Sequence, residues 1–136
     1  MNENEVIAEL KQYFRARDYS LLSECSTIMQ GIDLVMSKGD QEIWIEAKGG
    51  TSSREGSNRY GKVFTDTQCH VHFSRAFFKV CEMRDKAKHL QKVVRIAMAF
   101  SHTSHYQKYC DRTNGTRKEL GIELFWVRGT GVVEGV

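Results

Sequence analysis

The sequence contains no proline among its 136 residues, so no Pro-marked linker points to a second domain. No apolar run reaches the roughly 18 residues that span a bilayer, and no membrane contact is expected. The opening Met1-Asn2-Glu3-Asn4-Glu5 is acidic and polar, unlike a secretory signal or a transit peptide. The four cysteines, Cys25, Cys69, Cys81 and Cys110, stand far apart with no CxxC pair. They read as free thiols of a reducing cytoplasm. Cys69 and His72 have a usable zinc spacing, but no second pair matches them. There is no GxSxG, no Walker loop and no GxGxxG, which removes the serine-hydrolase elbow, the P-loop and the dinucleotide fold.

What is present fits one globular domain over residues 1–136, with 40% apolar and 27% charged residues. The net charge of +3 is unevenly spread. Residues 1–50 carry five Lys/Arg against nine Asp/Glu, residues 51–118 fourteen against five, and residues 119–136 one against three. A basic middle beside an acidic first third suggests a polyanion-binding surface next to a group of carboxylates.

Hydrophobic periodicity predicts an amphipathic helix over 4–17, with Val6, Ile7, Leu10, Tyr13 and Phe14 on one face and Asn2 or Asn4 as cap. A weaker strand is expected within 21–29, and stronger ones at 31–37 and 42–48. A Gly/Ser-rich basic loop, 49–64, precedes a long helix over about 66–89, whose buried stripe is Cys69, Phe73, Ala76, Phe77, Val80 and Ala87. A strand at 93–100, a helix over 103–119 with a break near Asn114-Gly115, and a strand at 121–128 complete the order αβββαβαβ. A turn at Gly129–Gly131 leads into Val132-Val133. Phe125, Trp126, Val132 and Val133 suit either core or a dimer surface.

Gly39-Asp40 is a two-residue turn with glycine first, the type II′ hairpin signature. It pairs Lys38 with Gln41. Ile32, Leu34 and Met36 then share a core face with Ile43, Ile45 and Ala47. The opposite, polar face carries Asp33, Trp44, Glu46 and Lys48. In that register Asp33 sits across from Glu46, with Cβ atoms about 5 Å apart. Two like charges so placed destabilise a hairpin unless a cation lies between them, and carboxylates suit Mg²⁺. Lys48, on the same face, is placed to orient or deprotonate a water or to stabilise a phosphate.

Gly31-Ile32-Asp33, twelve residues, then Glu46-Ala47-Lys48 resembles the GxD…ExK signature of the PD-(D/E)XK nuclease superfamily. The resemblance extends over most of residues 3–128. It implies a restriction-endonuclease-like α/β core, a central mixed sheet flanked by helices. It implies a Mg²⁺-dependent deoxyribonuclease, with Mn²⁺ as a substitute. Asp33 and Glu46 would be metal ligands joined by the Ala47 carbonyl, and Lys48 would assist the attacking water. Many members add a first-helix glutamate, for which Glu3, Glu5 and Glu9 all stand open. Some carry a QxxxY motif where this chain has Gln68 and, in place of the tyrosine, His72. DNA is the expected partner, and a homodimer would let two sites address two strands. Arg54, Arg59 and Lys62, with Tyr60 among them, lie in the loop after Lys48, placed to meet phosphates and stack on a base. The alternative is a nuclease-like module that binds nucleic acid or protein without cutting.

Overall fold

The computed structural model describes residues 1–24, 31–52 and 61–136. Helix α1 (Glu3–Arg15) leads into strands β1 (Ser20–Glu24), β2 (Leu34–Lys38) and β3 (Gln41–Lys48). Helix α2 (Asp66–Ala87), β4 (Val93–Ser101), α3 (Ser104–Glu119), β5 (Ile122–Val127) and β6 (Val132–Glu134) follow. Among the described residues the chain is α/β, three helices on one open, mixed, six-stranded sheet. β6 is one strand more than the order read from the sequence. No helix among them is long and apolar enough to cross a membrane.

The strands lie in the sheet in chain order, β1 to β6. β1, β2 and β3 form an antiparallel meander. β4 runs parallel to β3, and β5 parallel to β4, so each needs a crossover, supplied by α2 and α3. β6 returns antiparallel along β5. The turn between β2 and β3 pairs Lys38 with Gln41. Gly39 takes φ 58° there, while Asp40 is absent from the positive-φ residues, as a type II′ turn requires.

Both faces of the sheet's central strands are buried. Leu34, Met36, Ile43, Ile45 and Ala47 pack under Val6, Ile7, Leu10 and Phe14 of α1. Each large side chain buried here contributes roughly 1.5–3 kcal/mol. The other face, read from the sequence as polar, is a second core. Val35 and Trp44 meet Cys69, Phe73, Ala76, Val80 and Met83 of α2, and Ile96, Met98 and Phe100 of β4 complete it. A central strand that joins a parallel crossover is covered on both sides, which simple alternation along β3 does not reveal. Phe125 and Trp126 belong to these two cores on opposite faces of β5, and so are not dimer surface.

The helix ends follow capping chemistry. The Asn2 side chain accepts the Glu5 N–H at 2.9 Å at the start of α1. Thr65 and Gln68 form a reciprocal box at the start of α2. The Gln68 N–H donates to Thr65 Oγ1 at 3.2 Å, and Gln68 Oε1 accepts the Thr65 N–H at 2.9 Å. On α2, Met83 is buried where Phe77 is only half-buried. Helix α3 runs unbroken through Asn114-Gly115. An interior glycine costs a helix about 1 kcal/mol, which the burial of Tyr109, Cys110 and Arg117 around it offsets. Arg117 also donates to the Ile122 carbonyl at 2.8 Å, tying the end of α3 to β5.

Candidate active site

The β2–β3 ladder stops at the pair Leu34–Ile45. Gly31 takes φ 83°, and residues 31–33 bend away from the strand. Alternation therefore fails at this point. Ile32, expected beside Leu34 on the α1 side, packs into the α2 core instead. Asp33 is off the strand as well, and its carboxylate takes over the role of a ladder acceptor. Asp33 Oδ2 accepts the Ala47 N–H at 2.9 Å. In a strand the N–H and C=O of one residue point to the same edge. The Ala47 carbonyl thus faces the edge that β2 has left, the edge where Asp33 lies.

Glu46 is one residue back on β3 and points into the α2 side, only 7% exposed. Its Oε2 lies 3.6 Å from the Lys48 ammonium, while its buried Oε1 has no hydrogen-bond partner. Burial, and next the Asp33 charge, push its carboxyl up to about 8, against the pull of Lys48. Glu3 is driven the same way, first by burial and then by Asp33, with Lys48 opposing. Of the three first-helix glutamates, Glu3 is therefore the one beside the pair. Glu5 is exposed, and Glu9 lies against the Gly129–Gly131 turn.

Gly49 is what admits Glu3. A Cβ at Gly49 would stand 2.4 Å from the Glu3 backbone nitrogen, so only glycine lets α1 start here. The Gly50 N–H donates to the Met1 carbonyl at 2.8 Å, and the Tyr106 hydroxyl donates to the Gly49 carbonyl at 2.8 Å, fixing this segment from both sides.

Between this segment and α2 opens a cleft of about 300 Å³. Glu3, Lys48, Thr51 and Ser52 line one wall, and Phe64, His72 and Arg75 the other. The Phe64 and His72 rings lie 4.5 Å apart, tilted by 35°. Burial, then the Lys48 and Arg75 cations, hold the His72 imidazole below its ordinary value.

The structure thus gathers Asp33, Glu46, Ala47 and Lys48 at the end of β3. Arg75 was not picked out for this site from the sequence, and His72 only as the residue standing in place of the QxxxY tyrosine. The available signal was the spacing Gln68, His72, Arg75, Lys79, one continuous stripe of a helix. Gln68 itself serves the capping box. Of the loop cations, Arg54 and Arg59 lie outside the described residues, as does Tyr60. Lys62 is exposed at the loop's base, where its carbonyl accepts the Ser52 N–H at 3.3 Å and Thr51 bridges to Val63.

Among the described residues no three His, Cys, Asp or Glu side chains form a ready metal cluster. Two carboxylates and a carbonyl edge do converge, and these are hard oxygen donors of the kind Mg²⁺ takes. The unpartnered, buried Glu46 Oε1 is the atom a cation would satisfy. The residues fit a divalent metal. Comparison of the chain with protein-family models, curated proteins and solved structures found no match.

Proposed function

We propose that this chain is a metal-dependent deoxyribonuclease with a restriction-endonuclease-like core. The observation that carries the reading is the buried Glu46 carboxyl, one oxygen unpartnered, beside Asp33 and 3.6 Å from Lys48. A structural role alone does not account for burying Glu46 beside a second acid, because like charges repel and desolvation costs the buried one. Asp33, Glu46 and the Ala47 carbonyl would hold Mg²⁺ or Mn²⁺. Bound there, the cation supplies a Lewis acid for a phosphoryl oxygen and acidifies a water.

The chain's own residues do the rest. The Lys48 side chain projects beside Glu46 and remains partly open to the cleft. Its ammonium offsets charge that builds on the phosphoryl oxygens during attack. Arg75, on the far wall, positions the DNA backbone. Glu3 adds a third carboxyl to orient the attacking water.

A cleavage panel tests this. Duplex, nicked, flapped, junction and single-stranded DNA are incubated with Mg²⁺ or Mn²⁺, beside the Asp33→Asn variant. Cleavage by the wild type alone supports the reading. DNA binding without cleavage in either metal would assign the chain to the non-cutting alternative.

A further inference from the structure

The cleft beside Lys48 has features that the hydrolysis of a phosphodiester does not require. Its far wall presents two rings, Phe64 and His72, as a tilted pair. Phe64 is anchored from below, packed against the α2 core, while still lining the cleft. Arg75 stands one turn along α2 from His72, and Lys48 stands opposite. The hydroxyl-bearing Thr51 and Ser52 close the near side. Aromatic faces, cations and hydroxyls together match the three parts of a nucleotide: base, phosphate and sugar.

The volume points the same way. About 300 Å³ is at the small end of ligand pockets, room for one nucleotide unit and not for a duplex. In continuous duplex DNA both faces of each base are already covered by neighbours. A protein ring reaches a base face only where the base has left its stack.

We infer that this cleft seats one unstacked nucleotide next to the reacting phosphate, its base against the Phe64–His72 wall and its phosphate between Arg75 and Lys48. The substrate class is then single-stranded or splayed DNA, such as an overhang or flap. The inference rests on the nuclease reading and adds the substrate's form to it. Burial, then the Lys48 and Arg75 cations, disfavour the charged form of the His72 imidazole, which suits a ring used for stacking.

The test is binding in Ca²⁺, read by anisotropy of a labelled oligonucleotide offered as a single strand and as a blunt duplex of the same sequence. Wild type binds the single strand at least about tenfold more tightly. His72→Ala loses about tenfold or more on the single strand, the scale of one base–aromatic stack. His72→Phe, which keeps the ring and drops its nitrogens, retains wild-type affinity. A duplex bound as tightly as the strand, or His72→Phe as weak as His72→Ala, overturns the inference. Cleavage of blunt duplex by a wild type whose binding ignores His72 removes the subsite and leaves the nuclease reading intact. Absence of both binding and cleavage at low salt removes the two together.

Discussion

The Asp33 carboxylate accepts the backbone N–H of Ala47 at 2.9 Å, doing with a side chain what the β2 backbone does for the rest of the ladder. The acid is thereby held at the point where β2 leaves β3, next to Glu46. One oxygen is committed to the fold. This separates the structural task of Asp33 from its charge.

Asp33→Asn keeps an oxygen acceptor for the Ala47 N–H and removes the charge. The melting temperature without metal should stay near wild type or rise, since a repulsion with Glu46 is gone. Mn²⁺ affinity by calorimetry should fall about tenfold or more. Equal affinity in the two proteins would mean that the metal, if any, binds elsewhere.

Lys48→Ala should abolish most cleavage and lower DNA affinity far less, because Arg75 and other cations also hold the backbone. A lost charge-stabilising or proton-transferring group typically costs about 10²- to 10⁴-fold in rate. Single-turnover cleavage, with binding measured separately in Ca²⁺, checks it. A variant cutting at the wild-type rate would remove Lys48 from the chemistry.

Glu46 makes the metal-free protein pH-sensitive. Its carboxyl stands at about 8 in the fold against an ordinary 4.5. Between those values the folded chain holds a proton that the unfolded chain has released, so stability falls as pH rises through that window. Below pH 4.5 Glu46 contributes no such loss, and above about 8 the loss is complete. Glu46→Gln should flatten this dependence and raise the melting temperature by several degrees at pH 8.5. Adding Mn²⁺ at that pH should stabilise the wild type and leave Glu46→Gln almost unmoved. Parallel melting profiles across pH in the two proteins would contradict the assignment.

Replacing Arg54, Arg59 and Lys62 together by alanine should weaken DNA binding and flatten its salt dependence. Each lost phosphate contact lowers the log–log slope by about 0.7 on a single strand and about 0.9 on duplex. The motive is the charge of residues 51–118, fourteen cations against five anions. An unchanged slope would show that these three side chains do not meet the backbone.

The hairpin was legible because its turn chemistry is local. Gly39-Asp40 set the register, and the register set which residues of β3 share a face. The error at Ile32 has an equally local cause. A period of two holds only while the chain is a strand, and the bend at Gly31 through Asp33 ends it. The buried stripe of α2 was legible from its spacing, but the burial of Trp44 and Glu46 against it was not, because alternation along β3 assigns both to a polar face. His72 and Arg75 belong to the cleft through the docking of α2, a long-range fact. Their helical stripe with Gln68 and Lys79 was visible, but nothing local says which way a polar stripe faces. Glu3 reached the site through Gly49, and that close approach is invisible without coordinates.

The strands stand in the sheet in the order in which the chain carries them. Each strand adds to the edge left by the one before it, so every ladder joins strands that are neighbours in the chain. A ribosome delivers the strands in that same sequence. Residues 1–87, from α1 to the end of α2, already contain Glu3, Asp33, Glu46, Lys48, His72 and Arg75. All the acids and cations of the site are therefore made by residue 87, while β3 still lacks β4 along its other edge. The last third of the chain contributes no charge to this group. It closes the sheet and supplies Tyr106 to pin Gly49, so the later part of this chain locks in place a constellation carried by the earlier part.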